Sequence, residues 1–266
     1  MANIDLAEVT VAFPGPKRGA AEVTALHRLD LSVADEEFVC LLGPSGCGKS
    51  TALNVIAGFQ APSSGRCVVD GEPVTAPGVD RGVVFQDANI FPWLTVRQNV
   101  AFGPSLRAGR KHPRRRAAVD GIIDRVALTG FADNLPLELS GGMRQRVGLA
   151  RVLVNDPPVL LMDEPFGALD AQTRIIMQEL LLELWETQRK TVLFVTHDID
   201  EALLLGDRVV VMTARPGRVK EQLQVPLPRP RSYAMTRAPE FLELKARLFD
   251  TLHSEAVRAD QLEARR

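Results

Sequence analysis

Apolar positions in this chain fall into short solid runs set between longer amphipathic stretches. Phe38-Val39-Cys40-Leu41-Leu42, Gly82-Val83-Val84-Phe85, Val159-Leu160-Leu161-Met162 and Thr191-Val192-Leu193-Phe194-Val195-Thr196 are too short for core helices and too uniformly apolar for one-sided strands. They predict strands buried on both faces. Leu29 to Val33 alternates instead, and with Ile4 to Phe13 close before it, short links favour antiparallel pairing. Gly65 to Asp70 predicts a further strand, with Asp70-Gly71 as a hairpin signal. Asp207 to Thr213 and Arg218 to Val225 read as closing strands joined by the turn Arg215-Pro216-Gly217.

Helical patterns fill the spaces between the runs. Lys49 to Ala57 predicts a helix stopped by Gly58. From Thr95 to Leu153 the chain reads as helical: Thr95 caps Val96 to Phe102, Pro113 opens a helix running to about Ala127, and Ser140 caps a helix opened by two glycines. Asp170 to Arg189 is expected to present Ile176, Leu180 and Leu184 on one face, and Asp198 to Leu205 forms a short helix. Beyond a proline-rich linker, Pro226 to Pro230, Glu240 to Val257 is amphipathic, with Phe241, Leu244, Leu248 and Leu252 on one side. That stripe is expected to pack on the domain or on a second copy, and the short tail is not expected to add a regulatory domain. Strands and helices in this succession predict an α/β fold.

Composition narrows the classes without choosing among them. The 266 residues suit one large domain, or one with an inserted lobe. A net charge of −1 provides no global field toward nucleic acid. No apolar run approaches the ~20 residues needed to cross a bilayer, and the first residues lack the basic-then-apolar pattern of a signal peptide. The three cysteines, Cys40, Cys47 and Cys67, form neither a paired framework nor a metal-ligand spacing, and Cys47 is expected to be a reduced thiol. The basic run Arg110 to Arg116 opposes a helix dipole at its first turn; it reads as a solvated loop, with anionic lipid contact, worth about 1 kcal/mol per residue, as the weaker reading.

The chemistry gathers at strand ends. Gly43-Pro44-Ser45-Gly46-Cys47-Gly48-Lys49-Ser50-Thr51 fits the phosphate-loop pattern and has the required context, a buried strand before and a helix after. Its glycines let backbone N–H groups turn around an anion; Lys49 reaches the terminal phosphates and the Ser50 hydroxyl ligates Mg²⁺. Asp163 and Glu164 end another strand, and adjacent carboxylates there are costly unless they serve a cation or a proton transfer. Asp163 is the expected Mg²⁺ partner and Glu164 the residue that polarises water. Gln86 and His197 also follow buried strands, so four strands deliver amides, a carboxamide, carboxylates and an imidazole to one rim, where ligands bind in open α/β sheets. Leu139-Ser140-Gly141-Gly142-Met143 makes a second anion cradle at a helix N-terminus. The apolar segment Asn89 to Leu94 sits in a loop position, and its partner is either the chain itself or another protein. Phe13, from spacing alone, reads as core or turn packing.

This set of motifs, in this order, resembles the ATP-binding subunits of ABC transporters over nearly the whole chain. The resemblance rests on the phosphate loop, Gln86, the signature at Leu139–Gly142, the acidic strand end at Asp163 and Glu164, Asp170, and Thr196-His197-Asp198. It implies a P-loop NTPase with a mixed-sheet core, an antiparallel β subdomain and an inserted helical subdomain. The expected division is residues 1–225 for the ATPase domain, with about 87–155 as the helical insert, and 226–266 for a linker and amphipathic helix. It further implies that Phe13 stacks on adenine, Gln86 senses Mg²⁺ and the γ-phosphate, and His197 holds the γ-phosphate and attacking water. Asp170 would contact a second copy in a homodimer, whose Ser140, Gly141, Gly142 and Met143 face this chain's ATP. Met143 stands where glutamine or glutamate is usual, and Phe13 where tyrosine is commoner. Arg81–Gln86 with Phe91–Val96, and His197–Ala202 with Ala214–Val219, are similar to the ATPases of taurine, aliphatic sulfonate and nitrate importers. That implies membrane permease subunits, an external substrate-binding protein, and a peripheral place on the cytoplasmic membrane face. A soluble ABC ATPase acting on nucleic acid or the ribosome is the rival, against which the near-neutral charge argues; an ordinary P-loop kinase leaves the signature unexplained.

Overall fold

The computed structural model describes residues 2–15, 22–108 and 113–263. In chain order the strands and helices are β1 (Ile4–Phe13), β2 (Val23–Val33), β3 (Phe38–Leu42), α1 (Lys49–Ala57), β4 (Ser64–Val69), β5 (Glu72–Pro73), β6 (Arg81–Val84), α2 (Val96–Ala108), α3 (Pro113–Arg125), α4 (Gly141–Leu153), β7 (Val159–Asp163), α5 (Ala171–Thr187), β8 (Thr191–Thr196), α6 (Ile199–Leu205), β9 (Arg208–Met212), β10 (Val219–Gln224) and α7 (Pro239–Glu263). They form two compact units, residues 1–78 with 185–266, and residues 79–184.

The first unit holds an antiparallel sheet in the order β2-β1-β4-β5. It also holds a run in which β3 pairs in parallel with β8 on one side and β9 on the other, and β10 pairs antiparallel with β9. Every side chain of β3, β8 and β9 is buried, as the solid apolar runs require. Strand β2 begins at Val23, not near Leu29. Its pairing with β1 shifts register between Leu6 and Val9, between Val9 and Val11, and between Val11 and Ala12, and these irregularities hide the period of two. Phe13 lies at the end of β1 and is 39% exposed, so it is not core.

The polypeptide after β10 is not a loose linker. The buried Arg231 guanidinium donates to the carbonyls of Leu203, Gly206, Val225 and Leu227 at 2.6–3.2 Å, tying the end of α6 to the tail. Burial pushes the pKa of this guanidinium down to about 10. Arg229 and Arg189 each lie over the Trp185 ring at 4.1 Å, and Arg229 also bonds Asp207. Helix α7 then buries Phe241 and Leu248 and half-buries Leu244 and Leu252, the expected face.

In the second unit β6 and β7 pair in parallel. Val96, Val100, Val119, Ile123, Val126 and Val147 form a helical core drawn from α2, α3, α4 and the turn after α3. Thr95 caps α2 in a reciprocal box, its hydroxyl accepting from the Gln98 N–H while Gln98 Oε1 accepts from the Thr95 N–H. Helix α2 continues past Phe102 to Ala108, through Pro104. On α5 the buried residues of this unit include Met177, Leu181 and Leu184, whereas Ile176 is 49% exposed, so the expected face is rotated by one residue at that turn. Arg110, Lys111 and His112 of the basic run lie outside the described residues.

Candidate nucleotide and signature sites

In the first unit the phosphate loop leaves β3 and enters α1. Gly46 and Gly48 take φ of 71° and 105°, a region open to glycine. A Cβ on Gly48 would lie 2.7 Å from Leu26 Cδ2 and 3.0 Å from the Ala25 carbonyl, so β2 also closes the loop from behind. Alternating backbone hands of this kind turn N–H groups inward as an anion nest, and the α1 N-terminus adds partial positive charge. Lys49 is 5% exposed and donates to Gly43 O at 2.8 Å and Pro44 O at 3.1 Å. Ser45 and Gly46 are exposed, as is Ser50 at the second position of α1. Cys47 is a buried free thiol whose pKa burial pushes up.

His197 follows β8, next to β3 in register, Leu42 lying opposite Thr196. Its position is fixed from both sides. The Thr196 hydroxyl donates to the buried Glu201 carboxylate at 2.6 Å and accepts from the Asp198 N–H at 3.0 Å. Asp198 caps α6 by accepting from the N–H groups of Asp200 and Glu201. A cavity of 520 Å³ lies beside Gly43, Pro44, Ser45 and His197, and α7 lines its far wall with Phe249, Leu252 and His253. Sequence reasoning did not place α7 here.

In the second unit Gln86 and Glu164 lie just beyond the ends of the paired strands β6 and β7. A Cβ on Gly167 would be 3.5 Å from Gln86 Nε2 and 3.8 Å from Glu164 Oε2, so the turn brings the carboxamide and carboxylate to one spot. Glu164 adopts φ 44°, a conformation that costs a non-glycine residue about 1–3 kcal/mol and tends to mark functional sites. The Gly167 N–H donates to Glu164 O at 3.1 Å and holds the turn. Asp163 and Glu164 are half-buried. Asp170 caps α5, accepting from the Thr173 N–H at 3.0 Å, and the Thr173 backbone and hydroxyl hold its carboxyl below the ordinary range.

The signature is a capped helix end. Ser140 Oγ accepts from the Met143 N–H at 3.2 Å, and Arg144 Nη1 donates to Leu139 O at 2.6 Å. Gly142 is buried, and a Cβ there would meet Thr173 Cγ2 at 2.3 Å. Gly141 is exposed, and a Cβ on it would find its nearest neighbour, Arg144 Nη2, at 4.0 Å. Packing among the described residues therefore demands glycine at 142 and gives no reason for one at 141. Elsewhere in this unit Trp93, Leu94, Ala101, Phe102 and Leu106 line a 640 Å³ groove, in which Trp93 is 72% and Leu106 75% exposed.

The sequence profile of a family described as ABC transporter matches residues 26–167. An ABC transporter ATP-binding protein of Methanocaldococcus jannaschii is 50% identical over 89% of this chain and 87% of its own length. The taurine import ATP-binding protein of Roseobacter denitrificans is 46% identical over 85% of this chain and 83% of its own. The nitrate import ATP-binding protein of Synechocystis sp. is 45% identical, with 91% of each chain covered. A solved ATP-binding cassette, a dimer in a post-hydrolysis state with ADP and phosphate, superposes with a TM-score of 0.73 at 34% identity, covering 84% of this chain and 98% of that one.

Proposed function

We propose, from the premise that this chain belongs to the ABC transporter family, that it is the ATP-hydrolysing subunit powering import of a small anionic nutrient. Its fold is that of the ATP-binding cassette, and it binds ATP. The observation that carries the mechanism is the pair of anion cradles on one chain, the phosphate loop and the Ser140-Gly141-Gly142 helix end. In a head-to-tail homodimer each loop faces the other copy's signature, and a two-fold axis completes two equivalent sites. The exposed Gly141, which nothing among the described residues requires, supports that reading.

In this account the loop amides and Lys49 hold the β- and γ-phosphates, and Phe13 offers its exposed ring to adenine. Ser50, Gln86 and Asp163 are hard-oxygen donors that suit Mg²⁺, which keeps several waters and shares substrate phosphates; when bound it neutralises charge on those phosphates. Glu164 polarises the attacking water, and His197, pinned by Thr196 and Asp198, steadies the γ-phosphate and that water. Asp170 contacts the partner copy. Hydrolysis releases the dimer and resets the permease.

The exposed Trp93 groove supports a reading in which the permease docks there and the subunit lies on the cytoplasmic membrane face; among the described residues no helix is long and apolar enough to cross the membrane itself. Relatives named for taurine and for nitrate import stand at nearly equal identity, so the substrate is read as a small oxyanion, a sulfonate first and nitrate second, delivered by an external binding protein. The test is a pull-down of tagged protein from detergent-solubilised native membranes. Recovery of a multi-span permease with a binding protein that takes taurine, another sulfonate or nitrate supports the reading. Ribosomal or nucleic-acid partners without a membrane protein overturn it.

A further inference from the structure

The turn from Thr213 to Arg218 leaves β9, and its backbone is closed on itself: the Thr213 N–H donates to Arg218 O at 2.9 Å and the Thr213 hydroxyl to Pro216 O at 3.1 Å. It is docked on β2, with the Gly217 N–H on Ala25 O at 2.8 Å and the His27 N–H on Gly217 O at 3.1 Å. It also presses on the phosphate loop, since a Cβ on Gly217 would lie 2.1 Å from Cys47 O. From this turn Arg215 Nε donates to Gly46 O at 3.2 Å. On its other side the turn is held by α7: buried Glu255 accepts from the Ala214 N–H at 2.7 Å and from Lys220 Nζ at 2.7 Å.

We propose that Arg215 is a positioning residue of the phosphate loop, set in place by α7 through Glu255 and Ala214, so that the C-terminal helix adjusts nucleotide affinity. In a trans peptide the carbonyl of Gly46 and the N–H of Cys47 point opposite ways. A guanidinium holding that carbonyl outward therefore presents the Cys47 N–H toward the nest, where its bond to Pro44 O is long, 3.4 Å, and readily exchanged for a phosphate oxygen. Arg215 is exposed and acts on a glycine whose φ of 71° leaves the peptide free to flip without it. Pre-setting one donor lowers the ordering cost of binding and leaves the chemical step alone. The effect is thus expected in affinity more than in turnover.

The inference rests on the phosphate-loop reading above, and the test separates the two. Kd for MgATP by titration calorimetry, KM and kcat are measured on full-length wild type, Arg215→Ala, Arg215→Lys, Glu255→Ala, Glu255→Gln and Lys49→Ala, with thermal melts as the folding control. Arg215→Ala is expected to raise Kd and KM about tenfold with a much smaller change in kcat, and Arg215→Lys to recover most of it. Glu255→Ala is expected to move Kd the same way, with the double variant changing less than the two singles combined. Glu255→Gln keeps an acceptor for Ala214 and stays within about twofold of wild type, which holds the comparison if the alanine variant misfolds. If Lys49→Ala loses binding while Arg215→Ala binds like wild type, or if Arg215→Ala lowers kcat alone, the proposal is wrong and the phosphate loop stands. If Lys49→Ala itself binds like wild type, the phosphate-loop reading falls and takes the proposal with it.

Discussion

Two adjacent glycines separate packing from function in the signature. At Gly142 a new methyl would sit 2.3 Å from Thr173 Cγ2, the branch of a side chain with little χ1 freedom, so something must move. Overpacking of this kind costs about 1–3 kcal/mol, and each kcal/mol lowers Tm by roughly 2–4 °C in a chain of this size. At Gly141 the nearest atom is 4.0 Å away, and alanine in a helix is favoured over glycine by roughly 0.5–1 kcal/mol, so Gly141→Ala should melt at or slightly above the wild-type temperature. Its ATPase activity should nevertheless fall at least about tenfold, because in the proposed dimer the methyl would occupy the partner nucleotide's approach to the first amides of α4. The decisive assay mixes Gly141→Ala with Lys49→Ala. In a head-to-tail heterodimer both defects fall on one site and the other site is whole. An equal mixture of the two inactive proteins should then recover up to about a quarter of wild-type activity if the sites act independently. A Gly141→Ala protein as active as wild type, or a mixture with no recovery, refutes the shared-site reasoning.

Other consequences are open to direct measurement. Lys49→Ala should lose MgATP affinity by about two orders of magnitude while melting normally, as removal of a charge-assisted phosphate contact requires; calorimetry that finds wild-type affinity contradicts the role given to Lys49. Burial pushes the carboxyls of Glu221 and Glu255 up, but hydrogen bonds and cations outweigh it: Thr251 and Arg247 at Glu221, Lys220 and Ala214 at Glu255, so both lie below the ordinary range. A depressed carboxyl contributes stability above its unfolded pKa and loses it as pH falls through the folded value, so acid below about pH 4.5 should loosen α7 from β10 first. Amide exchange across α7 reports this, and Glu255→Gln should flatten the dependence. Trp93→Asp should leave MgATP binding intact yet abolish co-purification with the permease, read on the same pull-down; unchanged recovery would take the groove out of the docking surface.

Much of the candidate nucleotide site's local structure was legible because each piece is local. Phe38–Leu42 is solidly apolar, the phosphate loop carries its own glycines, and Ser140 caps its helix by accepting from Met143, three residues on. What stayed hidden depends on distant partners or broken periods. Register shifts between β1 and β2 erased the alternation that would have extended β2 back to Val23. Helix α2 runs through Gly103-Pro104, against propensity, and the glycine answers to a distant partner: a Cβ on Gly103 would reach the Asn155 Oδ1 at 2.6 Å. The run Leu180-Leu181-Leu182 is apolar on several faces, so spacing alone could not say that Ile176 faces out. No local pattern gives Arg215, Arg229 or Arg231 a role, and only the fold reveals that two of them pin the tail and one touches the phosphate loop. Spacing alone put Phe13 in the core; the family resemblance pointed it outward to adenine, and its 39% exposure rules out the core.

The most direct test of the central claim is sedimentation velocity of Glu164→Gln with and without MgATP. Removing the carboxylate that polarises water, while keeping its shape, should leave ATP bound and unhydrolysed. The account predicts a monomer without nucleotide or with ADP, a stable dimer with MgATP, and hydrolysis reduced by at least about two orders of magnitude. A variant that hydrolyses ATP at the wild-type rate, or that binds MgATP and stays monomeric, would contradict it.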